Sequence, residues 1–526
     1  MKQKIYFLRT LVFFVLLFLL AGSDSFAQRP LITVWKTDNP GASGNNQVQI
    51  NATGDVNYTW EEDGNSTNAG SGAASNSFTI TFPHPGTYRI FMASAGGASP
   101  FGRFTSGADS RKLLRVEQWG DIHWTSFEEA FSECHNLTIT ATDAPDLENV
   151  TNMRSAFSHY PMSSISGIEN WDVSKVENMS YMFSGAANFN QSLNDWNVGN
   201  VTDMSGMFSN AYSFNEPLDG WDVGKVRNMS WMFYNATNFN QNLNTWSVGN
   251  VEDMGWMFMY ATNFNQPLNN WNVGSVSNMQ SMFGECVNFN QPLNDWNVSN
   301  VTDMTGMFDG ASAFNQPLNK WNVSNVYYME EIFHNATSFN QSLAAWNLSS
   351  LDPGSGSSNN FSFSYTSMSC ENYSLTLQAW AENSNTVSDI VLEASGIEYS
   401  PDIIASRNYL IGDLNWTIQG DVTGSCELGN NPPRDEFITI WQTDAVRAGG
   451  NTSGISNDNQ IYFPATGDFT YTWAQLDSDG NETGVTGSGA GNDYTIITFP
   501  EPGTYRMSVD ADDANGNPFT RFGFDD

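Results

Sequence analysis

Positive charge, histidine and cysteine are all scarce in this 526-residue chain. Twenty Lys and Arg stand against 56 Asp and Glu, for a net charge of −36. So acidic a chain repels nucleic acid and anionic membranes, which argues against both as partners. Only 14% of residues are charged, however, while Asn, Ser, Thr and Gly abound, so the surface is largely neutral and polar. The five histidines, His84, His123, His135, His159 and His334, make no metal-ligand spacing and pair with no Ser or Cys motif. Glycine patterns that cradle phosphates or dinucleotides do not occur. Adjacent carboxylates such as Glu128 with Glu129, or Glu330 with Glu331, read as solvated charge and not as an acid and base for glycoside hydrolysis. No catalytic residues are expected.

Long apolar runs are also missing past Leu20, and none approaches the roughly 20 residues needed to span a bilayer. Before that point Lys2, Lys4 and Arg9 form a basic start, Leu11 to Leu20 is wholly apolar, and Ser25, Phe26 and Ala27 offer a small-residue cleavage site. This pattern predicts a signal peptide over residues 1–27, with Gln28 first after cleavage. No Cys follows the apolar run, so a lipid-anchored N-terminus is not expected. The mature chain is expected outside the cell or on its outer surface, without membrane insertion.

What the sequence does have is a period. Trp171, Trp196, Trp221, Trp246, Trp271, Trp296, Trp321 and Trp346 recur every 25 residues, and Phe183 to Phe333, Leu193 to Leu343 and Asn190 to Asn340 keep the same interval. Within one unit Trp196 and Val198 alternate as in a short strand, whereas Val201, Met204, Met207, Phe208 and Ala211 lie on one helical face. Asn178, Asp203, Asn228, Asp253, Asn278 and Asp303 precede that face as a helix N-cap series. The expectation is an α/β repeat solenoid of the leucine-rich-repeat kind, with parallel strands and short helices stacked into one Trp, Val, Leu, Met and Phe core. It runs over residues 109–350 in about nine coils, with Trp119, Ile122, Trp124, Phe127, Ala130 and Phe131 as an amphipathic N-terminal cap. Residues 351–429 form the C-terminal cap. The Asn190 to Asn340 series reads as a ladder of amides that satisfies turn backbone, not as an active site.

Cys134 and Cys286 sit at the phase where other copies carry Ala186, Ala211, Ala236, Ala261 and Ala311, so they read as small buried residues. At ~4.8 Å per coil they lie roughly 29 Å apart, beyond disulfide reach. Cys370 and Cys426 flank the segment after the array and are placed to pair with each other.

Two flanking segments, 28–108 and 430–526, read as small all-β sandwich modules that repeat one text. Ile32-Thr33-Val34-Trp35 returns as Ile438-Thr439-Ile440-Trp441, Ala52-Thr53-Gly54-Asp55 as Ala465-Thr466-Gly467-Asp468, and Pro85 to Arg89 as Pro502 to Arg506. A short linker, Asn430 to Pro433, precedes the second copy. The second copy has no repeats after it, which predicts a longer protein in which module and array alternate, with any anchoring domain downstream.

The string WNVSNVTDMTGMF, with FNQPLN, resembles the BspA-like leucine-rich repeat surface proteins in their 25-residue form, over about residues 115–426. MSCENYSLTLQAWA and WTIQGDVTGSC resemble that family's cap, and PGTYRI and PGTYRM resemble PKD-type modules. The resemblance implies surface display, adhesion and protein binding, and it supplies no catalytic residues.

Two candidate sites remain. Asp510, Asp512, Asp513, Asn515 and Asn517 around Gly516, and Asp477, Asp479 and Asn481, place oxygen ligands densely enough for calcium, although hairpin turns favour the same residues. The second candidate is aromatic. Where most units carry small or polar residues, Trp231, Tyr234, Trp256, Met259 and Tyr260, with Tyr181 two units earlier, form an apolar patch suited to a protein partner on a host or neighbouring cell. A glycan ligand and a passive surface spacer are the alternatives. The outward residues Asn194, Asp195, Asn197, Gly199 and Asn200 include no aromatic for a sugar to stack on.

Overall fold

The computed structural model describes residues 28–96, 101–159, 164–352 and 361–428, then 437–442, 460–463, 465–466, 468–477, 482–492, 495–500, 504–511 and 521–522. The expected signal peptide lies outside them. The chain forms two compact units, 1–426 and 427–526. Among the described residues no helix is long and apolar enough to cross a membrane.

The first unit opens with β1 (Leu31–Lys36), β2 (Gln47–Thr53), β3 (Asp55–Glu62), β4 (Asn65–Ser75), β5 (Phe78–Thr81), β6 (Thr87–Ser94), β7 (Arg103–Thr105), β8 (Leu113–Gln118) and β9 (Thr138–Ile139). Alternation sets the faces: in β2 Val48, Ile50 and Ala52 are buried while Gln47, Gln49 and Asn51 are not. One sheet has the order β4-β3-β6-β1-β8-β9 and the other β5-β2-β7. Between them Trp35, Ile50, Phe82, Tyr88 and Ile90 are buried, with the Phe82 and Tyr88 rings stacked at 4.1 Å.

β8 ties this module to the repeats. It pairs antiparallel with β1 on one side and parallel with β9 on the other, and Ile139 bridges onward to Ile165. The division between 108 and 109 expected from composition therefore falls inside a continuous structure. Asp109 and Lys112, just before β8, are wholly buried in the module. Lys112 Nζ donates to the carbonyls of Ser43, Gly44 and Gln47, each at 3.0 Å. Asp109 accepts from the amides of Ser43 at 3.1 Å and Gln49 at 2.7 Å. Charges this deep persist only where such partners replace water.

The expectation of an α/β repeat solenoid with strands and short helices is overturned. Regular structure is mostly β-sheet and lies outside the repeat units, which consist of turns joined by isolated bridges. The face expected to be helical is buried, but its backbone is not helical: Tyr181, Gly206, Trp231 and Trp256 have φ of +55, +60, +62 and +57°, and Asn210, Asn235 and Tyr260 have φ of +57, +56 and +62°. Left-handed residues at this spacing are incompatible with an α-helix. The amides turn to the next unit instead. Met179, Tyr181, Phe183 and Gly185 donate to the carbonyls of Asp203, Ser205, Met207 and Ser209 at 2.7–2.9 Å, and the following units repeat the pattern. The expected N-caps close local turns, Asp203 Oδ1 accepting from the Ser205 amide at 2.9 Å. The same residues bridge unit to unit in parallel from Asn152 to Tyr328.

Side chains stack in the same register. Trp221, Trp246, Trp271, Trp296, Trp321 and Trp346 each donate an indole N–H to the carbonyl of the Leu in the previous unit, at 2.8–3.0 Å. Phe183, Phe208, Phe233, Phe258 and Phe283 stack at 5.6–5.8 Å. The Asn190 to Asn340 series is a ladder, each Oδ1 accepting the backbone amide of the next Asn at 2.8–3.0 Å. Trp119, Ile122, Trp124, Phe127, Ala130 and Phe131, expected as an amphipathic cap, are buried, but the segment that carries them forms turns and not a helix.

After the repeats come β10 (Phe361–Ser362), α1 (Cys370–Glu382), β11 (Val391–Glu393), β12 (Glu398–Tyr399), α2 (Ile404–Gly412), β13 (Thr417–Gln419) and β14 (Val422–Thr423). Ser369 caps α1 by accepting from the Asn372 amide. The Asn340 side chain accepts from the Ser369 amide at 2.7 Å, so the start of α1 terminates the asparagine ladder. A disulfide joins Cys370 to Cys426, closing the cap on itself.

The second unit holds β15 (Phe437–Gln442), β16 (Gln460–Phe463), β17 (Ala465–Thr466), β18 (Asp468–Leu476), β19 (Glu482–Asn492), β20 (Thr495–Thr498), β21 (Thr504–Ala511) and β22 (Arg521–Phe522). Its sheets are ordered β15-β21-β18-β19, β16-β20 and β17-β22.

Two outcomes test this packing. Trp271→Ala should lower stability by about 3–5 kcal/mol, because it opens a cavity and removes the bond to Leu243; an unchanged denaturation midpoint would contradict the core assignment. The bridge positions alternate amide and acid from Asn178 to Asp303, and Asn278 Nδ2 donates to Asp253 Oδ1 at 2.9 Å. Burial, opposed in part by hydrogen bonds, pushes the Asp253 carboxyl above the usual range, and Asp303 adds to it. Its ionised form therefore already opposes folding at neutral pH, and the penalty fades as pH falls through the raised value. Asn278→Asp should set a third acid between the two, lowering the melting temperature relative to the parent chain most at pH 7. That gap should narrow as pH falls toward about 4; a gap independent of pH would exclude charge repulsion as the cause.

Candidate functional site

The left-handed positions are where the repeat leaves its pattern. At one phase stand Tyr181, Gly206, Trp231, Trp256, Ser281 and Gly306, all with φ between +49 and +62°. Gly suits this backbone, whereas a residue with a Cβ carries about 1–2 kcal/mol of strain. Two adjacent units nonetheless place Trp there. Backbone bonds to the next unit hold both: Trp231 N–H donates to Gly255 O at 2.9 Å and Trp256 N–H to Gln280 O at 2.7 Å.

This geometry brings four of the sequence-selected residues together. The Trp231 and Trp256 rings stack at 4.8 Å with 22° between planes, Tyr234 lies 4.8 Å from Trp231, and Tyr260 meets Tyr234 edge-on at 5.7 Å. Trp231, Tyr234 and Trp256 are partly buried and Tyr260 is exposed, so neither tryptophan belongs to the sealed core. Met259 lies against Gly284, in the following unit. Tyr181 stands apart: its ring covers Gly206, one unit before Trp231.

Tyr212, 43% exposed, belongs with the cluster and escapes the sequence reading. Burial pushes the Tyr234 hydroxyl above its usual pKa, and the neighbouring Tyr260 and Tyr212 add to the effect. The signal for Tyr212 is its phase, which carries Ala187, Thr237, Thr262, Val287 and Ser312 in other units.

Among the described residues, packing accounts for the two free thiols. Cys134 and Cys286 are buried free thiols. Burial pushes the Cys134 thiol up to about 12 and the Cys286 thiol higher, so both stay protonated and unreactive. Cys286 Sγ donates to Phe258 O at 2.8 Å. Across three units Glu285, Asp309 and His334 approach one another, with His334 Nδ1 3.0 Å from Asp309 Oδ1. Burial raises both carboxyls above their ordinary range.

Among the described residues no group of three or more His, Cys, Asp and Glu is placed to hold a metal ion. Of the calcium candidates, Asp512, Asp513, Asn515, Gly516, Asn517, Asp479 and Asn481 lie outside the described residues. Asp510 falls within β21 and Asp477 just past β18.

No curated protein and no solved structure matches this chain. A family model does match the repeats, over the overlapping stretches 125–236, 151–269, 216–305 and 263–367: these residues are similar to the family described as "Mycoplasma protein of unknown function, DUF285".

Proposed function

We propose that this chain is a non-catalytic, exported scaffold that binds a protein partner through the aromatic edge formed by Trp231, Tyr234, Trp256 and Tyr260, with Tyr212 at its margin. One observation carries the reading: two tryptophans occupy left-handed backbone positions where flanking units use Gly206, Ser281 and Gly306. Large side chains kept at a strained position, partly in solvent, are better explained by recognition than by packing. The signal-peptide pattern and the resemblance to BspA-like surface proteins support display outside the cell.

The ring arrangement favours protein over sugar. Trp231 has Trp256 against it at 4.8 Å and Tyr234 also at 4.8 Å, so its faces are engaged by neighbours and not open for a sugar ring. A partner's apolar side chain needs no open face, only a dry pocket. The acidic surface adds a preference for a basic rim on the partner, which speeds encounter more than it tightens binding.

Two measurements bear on this. Trp231→Gly relieves backbone strain while losing two ring contacts, to Trp256 and Tyr234, so stability should fall by no more than about 2 kcal/mol; a loss comparable to that of a core tryptophan would place Trp231 in the core. Trp231→Ser with Trp256→Ser should keep the melting temperature within a few degrees. In parallel arrays of cell-surface proteins and of glycans, the parent chain should bind protein, and the double variant should lose that binding by about thirtyfold or more. Glycan binding that survives the double change would overturn the proposal, and binding to neither array would leave the chain a spacer.

A further inference from the structure

We propose that the Cys370–Cys426 disulfide is a redox latch: an external thiol reduces it, and residues 422–426 then leave the cap while the rest of the cap stays folded.

Two fastenings hold the end of the first unit against α1, and they differ in kind. The inner one is ionic. Asp421 has a buried side chain and accepts from Arg407 Nε at 2.8 Å and Nη2 at 2.6 Å, and from the Tyr373 hydroxyl at 3.3 Å. Arg407 also lies over the Tyr399 ring, 4.8 Å from its centre. A bidentate pair shielded from water resists opening, because either partner left alone would be a buried charge. The buried cap residues Tyr373, Leu377, Trp380, Leu410 and Trp416 all precede Asp421 in the chain. The clamp therefore closes the cap core without help from the disulfide.

Past Asp421 the attachment is slight. Val422 and Thr423 are exposed, and β14 pairs with β12 over two residues. Val422 N–H donates to Ile397 O at 2.9 Å and Gly424 N–H to Tyr399 O at 2.8 Å. Cys426, the last residue of the first unit, is then tied to Cys370. Breaking that tie uncovers no core residue.

The sulfurs suit exchange. Cys134 and Cys286 are sealed, whereas Cys370 and Cys426 are partly exposed. Cys370 is the first residue of α1, where free amides and the helix dipole favour a thiolate. Such a thiol is a good leaving group, and its ionisation favours the reduced state. Glu371 in the same turn works against this, as does Glu398, whose Oε2 crowds Gly424 together with Cys370 Sγ. Attack accordingly falls on Cys426 Sγ. The reductant's thiolate bonds to it, the disulfide breaks, and Cys370 departs as thiolate. A second reductant thiol attacks the reductant sulfur of the mixed disulfide and releases Cys426. The balance is two external thiols oxidised to one disulfide, with their two electrons and two protons taken up by Cys370 and Cys426.

The test equilibrates the full chain with reduced and oxidised glutathione, reading redox state by alkylation and mass, and structure by hydrogen exchange. At a ratio that leaves ordinary structural disulfides intact, about half or more of the chain should be reduced at Cys370 and Cys426. In that form the amides of Val422 and Gly424 should exchange about tenfold faster, while those of Leu377 and Trp380 stay unchanged. With Asp421→Asn, reduction should release Leu377 and Trp380 as well. Glu398→Gln should need several-fold less glutathione for the same reduced fraction. A bond that stays oxidised at that ratio overturns the proposal, and so does a Glu398→Gln chain that is no easier to reduce. Reduction that leaves Val422 and Gly424 protected, or that opens α1 in the unaltered chain, overturns it too, since the bond is then idle or structural.

Discussion

The bond from a backbone amide in one repeat unit to a carbonyl in the next is the interaction on which the structure depends. Met204, Gly206 and Phe208 each find their acceptor in the following unit, at Asn228, Ser230 and Met232. A unit alone therefore leaves those donors unsatisfied, as well as its Trp and Phe uncovered. Every other regularity follows from that dependence. The spacing must be kept so that indoles reach leucine carbonyls and phenylalanines stack, and a single inserted residue would break several ladders at once. Ends need special treatment for the same reason. Trp171, first in its series, has an indole N–H without a partner among the described residues, whereas the last asparagine is satisfied by the start of α1.

The same bonding explains how the aromatic edge arises. Donation outward at alternate residues goes with a left-handed backbone at every second donor, such as Gly206 and Asn210, and those residues project at the margin of the stack. Gly is the least strained choice, so a Trp there is a departure that the backbone tolerates because its neighbours fix it from both sides. The proposed site and the scaffold are thus one construction: the ladder that stabilises the fold also orders Trp231 beside Trp256. Interfaces gain from such pre-ordering, since less side-chain freedom is lost on binding.

Much of this was legible in the residues. The tryptophan period gave the stacking direction, the asparagine series gave its ladder, the phase of Cys134 and Cys286 gave their burial, and the recurrence of Pro85 to Arg89 gave the second module. Helix was the misreading, for a physical reason. Apolar residues at Val201, Met204, Met207, Phe208 and Ala211 line one side of an α-helix and equally one side of this turn ladder, and Asp203 can begin a helix or close a local turn. The discriminating signal was Gly206 and Gly306 sharing a phase with Trp231, since glycine recurring at one position marks a left-handed backbone. The junction at β8 was hidden because its partner β1 lies far back in the chain and no local pattern announces a long-range pairing. Tyr212 was missed because it departs from the repeat at a phase with no second aromatic to draw notice.

Hydrogen exchange of the repeat amides, measured residue by residue on the intact chain, tests the dependence of each unit on the next most directly. The account predicts that Tyr181, Gly206, Trp231, Trp256 and Ser281 are all strongly protected and exchange together, in one opening event that includes both neighbours of any unit that opens. Interior units that exchange at separate rates, one opening while the adjacent ones stay closed, would contradict it.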